Sequence, residues 1–321
     1  MLRTLFRPFM ILPETKRLVI YIVGRPHCRS TILDAALGNA SRVQGVGELL
    51  SGLSRFPDEP VPAGGTIASN PFWTRVRQEF ESQVRNTSFA DASKTLHQAF
   101  QLRNLPRILL GSRNSRFLQL LSHLSSRLYE AICDTAECDI VVDSGKRVTQ
   151  ALFLARTNPD VRIIHLVRNP LDIMASHLKR MREGERIHFF GRRVNANSFG
   201  PFLLCILALT WTVGCFLATL AERIAGARAM RIRYEDFVAD SASCIAAIGD
   251  FIGADLSDVS EILRTGTPLH CPYNIGGNRI RFKQSLKVAP QTSANEPLPR
   301  YLAMWIATVS FPFTRVYGYL R

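Results

Sequence analysis

The stretch LVIYIVGRPHCRST, residues 18–31, decides the fold, because an uninterrupted apolar run leads into a short polar turn and then into a helical pattern. Such a run predicts a buried strand that ends in a turn and opens a helix. This arrangement directs free backbone N–H groups and the positive end of the helix toward a bound anion. The sequence therefore predicts an anion site at this turn.

A second segment of the same kind, IIHLVRNPLDIMAS, spans residues 163–176. Pro170 suits the first turn of a helix, where its missing N–H is harmless, and Asp172 lies near the positive helix end. Arg168 at the strand end and Ser176 two turns into the helix can converge on one phosphate. Together the two segments predict a ligand with two separate phosphate groups.

Short apolar segments alternate with helical patterns along the chain. The predicted strands cover residues 18–23, 140–143, 162–167 and 229–233. The predicted helices cover residues 30–37, 148–156, 171–182, 201–224 and 241–252. Uninterrupted apolar strands between helices predict a central parallel sheet with helices on both faces. We expect a single α/β domain over residues 18–321, preceded by a basic extension over residues 1–17.

Forty Lys and Arg residues against 26 Asp and Glu residues give a net charge of +14, which favours anionic ligands. The excess alone does not distinguish a nucleotide, a sulfated product, nucleic acid or acidic lipid. Basic residues are spread along the chain, so we expect no nucleic-acid partner, while peripheral contact with an acidic membrane surface stays open. Seven cysteines without a CxxC pair predict reduced thiols and a cytoplasmic location.

Residues 202–221 carry no charge and are long enough for a membrane-spanning helix. Strand-like segments of the same predicted sheet lie on both sides, so a span would separate them across the bilayer. A buried core helix is the preferred interpretation. A membrane-anchored interaction protein built around this helix is the alternative. Pro8 and Pro13 interrupt the N-terminal region, so we expect no cleaved signal peptide.

The two anion-binding segments resemble the 5′- and 3′-phosphate-binding elements of sulfotransferases that use 3′-phosphoadenosine 5′-phosphosulfate (PAPS). The resemblance implies that Ser30 and Thr31 bind the 5′-phosphosulfate, with positive charge from Arg25 or His27. It also implies that Arg168 and Ser176 bind the 3′-phosphate. The residues expected to line the donor site are Arg25, His27, Cys28, Arg29, Ser30, Thr31, Arg168, Ser176, Arg279 and Arg281.

The first loop departs from the family pattern. A basic residue followed by Ser-Gly-Thr-Thr or Ser-Gly-Ser-Thr is common there, and the glycine lets the backbone close over the 5′-phosphosulfate. Here Cys28 replaces the first serine and Arg29 replaces the glycine. A residue with a β-carbon tolerates positive φ poorly. The substitution leaves two interpretations: a donor loop rebuilt with an added cation at Arg29, or a loop whose activity is lost.

Two further motifs extend the resemblance toward catalysis. Gly47-Glu48 matches a Gly-Glu pair whose glutamate serves as general base in the protein-tyrosine and related branches. An acceptor hydroxyl loses its proton as it attacks sulfur, and a positioned carboxylate can take that proton. His27 is the competing base. The run DSGK, residues 143–146, resembles an Asp-Ser-Ser-Lys strand end, so Lys146 is expected to neutralise the sulfuryl charge or hold the acceptor.

Later segments complete the resemblance. RIRYEDF, residues 231–237, matches the family's Arg-Tyr-Glu-Asp-Leu segment and is expected to brace the domain. GGNRIRF, residues 276–282, matches a late Gly-Asn-x-x-Arg-Phe segment. The resemblance implies that Arg279 and Arg281 form a basic lid over the 3′-phosphate.

The resemblance implies a P-loop-like sheet and a sulfotransferase that moves a sulfuryl group from PAPS to an acceptor hydroxyl or amine without a metal. The expected acceptor is a small molecule, a glycan or a lipid. A nucleotide-dependent kinase of related fold is disfavoured, because the sequence has no Gly-x-x-x-x-Gly-Lys-Ser/Thr loop. A non-catalytic descendant that binds nucleotide or an anionic glycan is the other alternative, because of Arg29.

Overall fold

A computed structural model describes residues 17–183, 186–189, 192–195, 200–283, 285–288 and 298–319. Nearly all of the predicted N-terminal extension, residues 1–16, lies outside the described residues. The strands of the central sheet are β1 (Leu18–Gly24), β2 (Val43–Gly47), β3 (Ile140–Lys146), β4 (Val161–Val167) and β7 (Ala229–Arg233). A separate antiparallel pair is formed by β5 (Arg186–Phe189) and β6 (Arg192–Asn195).

Helices connect and cover these strands. The first group is α1 (Ser30–Leu37), α2 (Leu49–Leu53), α3 (Pro71–Gln83), α4 (Phe89–Ala99), α5 (Leu105–Leu110), α6 (Arg116–Ala136) and α7 (Val148–Thr157). The second group is α8 (Pro170–Arg182), α9 (Gly200–Ala225), α10 (Tyr234–Ala239), α11 (Ser241–Ile252), α12 (Ser257–Thr265) and α13 (Arg300–Val316). Every strand and helix predicted by periodicity forms, with ends that differ by a few residues.

The central sheet is parallel throughout and runs in the order β2-β3-β1-β4-β7. Alternate residues of β1 enter different cores, because successive side chains of a strand point to opposite faces. Tyr21 and Val23 pack with α3, α6 and α7, whereas Ile20 and Ile22 pack with α1, α11 and α12. The predicted parallel sheet with helices on both faces is confirmed.

The carboxyl ends of β3, β1 and β4 lie side by side. Val23 pairs with Lys146 on one neighbouring strand, and Gly24 pairs with Leu166 on the other. The chain first adds β3 and β2 on one side of β1 and then β4 and β7 on the other. Ligands of open α/β sheets bind at such a reversal of strand order, beyond the carboxyl ends of the strands.

The uncharged segment forms most of α9, which lies against the core. Trp211, Cys215 and Ala218 of this helix are buried, and the helix packs on α7 and α13. Residues 202–228 are long and apolar enough to cross a membrane, but half of their most apolar window is buried inside the protein. The observed packing supports the preferred interpretation as a core helix, although one side of α9 remains exposed.

Candidate active site

A cavity of about 180 Å³ lies at the carboxyl edge of the central sheet. Its wall combines the turn after β1, the end of β3, the β4–α8 junction and the glycine-containing loop before residue 281. The lining residues are His27, Arg29, Ser30, Thr31, Ile32, Lys146, Arg168, Ser176, Asn278 and Ile280. Most of the predicted site residues therefore meet in one place, although the chain brings them from distant segments.

The turn between β1 and α1 has an unusual backbone. His27 and Arg29 have φ angles of 69° and 66°, in the left-handed region that costs a non-glycine residue about 1 kcal/mol. Arg29 thus keeps the positive φ for which glycine is suited. It also occupies the N-cap of α1 without making a side-chain cap. The helix consequently begins without a side-chain cap, which suits an anion at this end.

The Arg29 side chain lies close to Arg168 of the second segment. Its side chain is exposed and lines the cavity. Burial lowers the pKa of Arg168, and the nearby Arg29 lowers it further. Arg29 also opposes the rise in the pKa of Tyr234 that burial causes. The Arg29 cation therefore lies on the ligand side of the turn.

Cys28 and Ser30 have different surroundings despite their proximity. The Cys28 thiol is fully buried in the core, folded over Gly24, and burial raises its pKa. Its backbone N–H donates to Arg25 O over 3.1 Å. The Cys28 side chain therefore lies in the core, outside the lining of the cavity. Ser30 is also fully buried, but it lines the cavity.

Arg168 is held in position by the first loop. It is 1 % exposed, and its Nη1 donates to the His27 carbonyl over 2.7 Å. Its guanidinium carbon lies 5.3 Å from the centre of the Tyr234 ring, within the range of a cation–π contact. Ser176 lines the same cavity from α8. The predicted convergence of Arg168 and Ser176 thus has a geometric basis.

The start of α8 is fixed by the segment that sequence analysis expected to brace the domain. Asn169 caps the helix by accepting from Leu171 N over 2.9 Å. Asn169 N in turn donates to Glu235 Oε1 over 2.9 Å, and Tyr319 Oη donates to Glu235 Oε2 over 2.8 Å. Glu235 therefore holds the turn that presents Arg168, in agreement with the bracing role.

Glu48 and Lys146 form an ion pair beside the cavity. The distance from Lys146 Nζ to Glu48 Oε1 is 2.6 Å, and both side chains are largely buried. Burial alone would lower the pKa of Lys146, but the Glu48 carboxylate outweighs it and the net pKa is raised. Lys146 is consequently a cation in the cavity wall. A β-carbon at Gly277 would lie 2.8 Å from Glu48 Oε1, so the carboxylate is packed between Lys146 and this glycine.

Three arginines that were predicted to bind the anionic donor lie outside the cavity lining. Arg25 turns toward α9, where its Nη2 donates to Thr210 Oγ1 over 3.1 Å. Arg279 is exposed. Arg281 is buried, with its Nη2 2.6 Å from Glu59 Oε1. Arg279 and Arg281 therefore do not form the expected basic lid over the cavity. Arg281 is instead held in a buried ion pair with Glu59.

Glu59 is the residue that sequence analysis missed in this region. It is buried, pairs with Arg55 and Arg281, and accepts from Gly276 N over 2.9 Å. These bonds anchor the loop that places Asn278 and Ile280 in the cavity wall. The only sequence signal was the i,i+4 spacing of Arg55 and Glu59, which a loop rich in proline obscures.

A comparison with the sequence profiles of known families identifies the family of this chain. Residues 20–258 match the sequence profile described as the sulfotransferase family, which covers most of the chain. The chain belongs to the sulfotransferase family. It is therefore a sulfotransferase enzyme. A search of the curated proteins gave no match.

A search of the solved structures finds matches among sulfotransferases. Sulfotransferase STF9 from Mycobacterium avium has a TM-score of 0.50 and 12% identity, with 94% of this chain and 76% of that chain covered. The sulfotransferase domain from the Curacin biosynthetic pathway has a TM-score of 0.49 and 16% identity, covering 93% and 98%. Sulfotransferase STF1 from Mycobacterium tuberculosis H37Rv has a TM-score of 0.47 and 18% identity, covering 80% and 73%. At 12% identity, the likeness to STF9 concerns the fold alone.

The sulfotransferase carries buried acids close to the turn between β1 and α1. Asp34, one turn after Ser30, is fully buried and accepts from Asn274 Nδ2 over 2.6 Å and from Gly47 N over 3.2 Å. Desolvation raises the pKa of Asp34 to about 7, although hydrogen bonds oppose the rise. Asp143 is buried likewise, and desolvation raises its pKa to about 6. Among the described residues, no group of three or more His, Cys, Asp or Glu could hold a metal ion.

Asp34 makes the stability of the enzyme depend on pH. Its folded pKa lies above its unfolded value, so the folded state binds more protons and loses stability as pH rises through the window from about 4 to about 7. We expect the free energy of unfolding of the wild type, minus that of Asp34→Asn, to fall over this window by on the order of 4 kcal/mol. Urea unfolding of both proteins at a series of pH values measures this difference. The contribution of Asp143 largely cancels, because Asp143 titrates in both proteins. A pH-independent difference would contradict the assignment.

Proposed function

We propose that this sulfotransferase takes its sulfuryl group from PAPS and transfers it to an acceptor hydroxyl or amine. The observation that carries the proposal is the pairing of two anion-binding elements across one cavity. One element is the start of α1 with Ser30 and Thr31, and the other is Arg168 with Ser176. No described lining residue of this cavity is acidic. Such a wall suits a ligand with two phosphate groups.

The side chains divide naturally between the two ends of the donor. The N–H groups of the first turn of α1, with Ser30 and Thr31, would bind the 5′-phosphosulfate. Arg168 and Ser176 would bind the 3′-phosphate. Arg29 lies on the side of Arg168, so we assign its charge to the 3′-phosphate as well. This refines the first interpretation of the loop, in which Arg29 is an added cation.

The transfer step needs a base and charge neutralisation. The acceptor oxygen or nitrogen attacks sulfur, the bond from sulfur to the 5′-phosphate oxygen breaks, and its electron pair remains on the departing nucleotide. The Glu48 carboxylate takes the acceptor proton, while Lys146 neutralises charge on the sulfuryl oxygens. His27 lines the cavity and is the competing base. Its ring packs edge-on against His177, with 4.3 Å between ring centres.

The acceptor is proposed only by class, as a small molecule, a glycan or a lipid. The site requires no metal in this scheme, because positioning and fixed cations supply the electrostatic stabilisation. We also propose a cytoplasmic location, since the seven cysteines are free thiols. We expect no nucleic-acid partner.

Binding of the desulfated product tests the donor assignment. We expect calorimetric titration to show tight binding of 3′-phosphoadenosine 5′-phosphate and much weaker binding of AMP and ATP. Arg168→Ala should weaken binding of the bisphosphate by about 2 to 4 kcal/mol and leave AMP binding nearly unchanged, because only the former has the 3′-phosphate. Ser176→Ala should show the same selectivity with a smaller loss.

Arg279→Ala is the matched control for this titration, because Arg279 is exposed and lies outside the cavity lining. We expect this variant to bind both nucleotides like the wild type. Equal losses for the bisphosphate and AMP in Arg168→Ala would refute the 3′-phosphate assignment. Preference of the wild type for ATP would refute the donor class.

Substitution of Glu48 tests the base. With an acceptor found by screening, Glu48→Gln should lower the turnover rate by about 100-fold or more, since a positioned general base contributes that much. Its affinity for 3′-phosphoadenosine 5′-phosphate should be retained, because Glu48 lies outside the donor elements. The measurements are steady-state turnover and calorimetry. Near-normal turnover in Glu48→Gln, with strong loss in His27→Gln, would transfer the role to His27.

Arg29→Gly tests whether the altered loop is a working donor loop. We expect binding of 3′-phosphoadenosine 5′-phosphate to weaken by about 1 to 3 kcal/mol, because a charge-assisted contact is lost. Thermal stability should rise, because glycine adopts φ near 66° without strain. Arg29→Lys retains both charge and strain, so it should bind more tightly than Arg29→Gly. Tighter nucleotide binding by the glycine variant than by wild type would show that Arg29 obstructs the site.

A further inference from the structure

The outer side of α9 carries an apolar stripe. Phe202, Leu209, Val213 and Phe216 are between 45% and 65% exposed, and their spacing places them on one side of the helix. Core contacts do not account for these side chains, because the opposite side of α9 packs inward. The stripe is therefore available to a partner.

The neighbouring helix α13 continues this apolar stripe. Its exposed large hydrophobic residues are Tyr301, Met304, Trp305, Phe311 and Val316. Thr212 Oγ1 of α9 donates to Val309 O of α13 over 3.1 Å, which places the two helices side by side. Leu209, Val213 and Phe216 lie within about one turn of Thr212 on α9. Trp305 and Phe311 lie within about one turn of Val309 on α13. We call the nine exposed residues of the two helices the α9–α13 surface.

Most exposed apolar side chains of the described residues are concentrated on this surface. Thirteen large hydrophobic side chains are exposed among the described residues, and nine of them belong to the α9–α13 surface. The remaining four, on other segments, are Leu102, Leu110, Leu120 and Phe282. Scattered exposed hydrophobic residues are ordinary, whereas a contiguous group marks an interaction site.

The charges around the α9–α13 surface select the kind of partner. Arg223 at the end of α9 and Arg300 and Arg315 on α13 are exposed. α13 contains no acidic residue, and the one acid of α9, Glu222, is paired with His165 and Arg231. In a symmetric contact through this surface, helices α9 and α13 of a second copy would bring the same cations and no unpaired carboxylate of their own to meet them. An anionic lipid bilayer offers both an apolar interior and negative headgroups.

We propose that the α9–α13 surface docks this sulfotransferase onto an anionic lipid bilayer. The apolar side chains enter the headgroup boundary, and Arg223, Arg300 and Arg315 contact lipid phosphates. Tyr301 and Trp305 have the amphipathic rings that suit this boundary. Since the inner side of α9 packs into the protein core, the helix lies on the bilayer and does not cross it. The proposal does not depend on the identity of the sulfuryl donor.

Vesicle sedimentation tests the docking surface directly. We expect the full chain to bind vesicles of phosphatidylcholine with about 30% phosphatidylglycerol and to bind pure phosphatidylcholine vesicles far more weakly. The double variant Phe216→Gln/Met304→Gln removes one apolar residue from each helix, and Arg300→Gln/Arg315→Gln removes two cations. Each should lower partition onto the anionic vesicles by about tenfold or more.

Matched controls make the same chemical changes elsewhere. Leu110→Gln/Leu120→Gln removes exposed apolar residues, and Arg75→Gln/Arg103→Gln removes exposed cations, outside the α9–α13 surface. Both control proteins should partition like the wild type, and circular dichroism should show that all four variants are folded. Absence of wild-type binding, or equal losses in test and control variants, overturns the proposal. A concentration-dependent dimer that Phe216→Gln/Met304→Gln abolishes, without vesicle binding, would identify a second copy as the occupant.

Discussion

Parallel pairing of β1 with β3 on one side and β4 on the other is the constraint on which the site depends. The register places Val23 beside Lys146 and Gly24 beside Leu166, so three strand ends meet at one edge. Lys146 and Arg168 then reach one cavity without any flexible segment having to bring them together. Apolar burial on both faces of the sheet holds this register.

The same constraint concentrates positive charge. Arg168 is buried close to Arg29, and an arginine keeps its charge in a protein interior. The His27 carbonyl and the Tyr234 ring offset part of the cost, and Glu48 offsets that of Lys146. A bound anion would complete the compensation. The site is therefore organised electrostatically before any ligand arrives, as transition-state stabilisation requires.

Much of this architecture could be predicted from sequence, because strands buried on both faces are uninterrupted apolar runs. The strand β2 was missed because its sequence, VQGVG, is rich in glycine. Its glycines serve close packing instead: a β-carbon on Gly45 would lie 2.7 Å from Asp34 Oδ1. The cavity residues Arg168 and Ser176 were predicted from strand-end position. Arg25 and Arg281 were predicted to contact the donor, but both lie outside the cavity lining. The sequence shows a charge but not the direction in which its side chain turns.

The contact between Arg25 and α9 links two regions that lie far apart in the sequence. A β-carbon at Gly214 would lie 2.6 Å from Arg25 Cδ, so the arginine fills the notch that this glycine leaves in the helix. Arg25 belongs to the turn whose residues His27, Arg29 and Ser30 line the cavity. Because Arg25 packs against Gly214, sliding or rotation of α9 would require the turn to move with it. The long apolar helix α9 and the turn between β1 and α1 therefore form one mechanical unit.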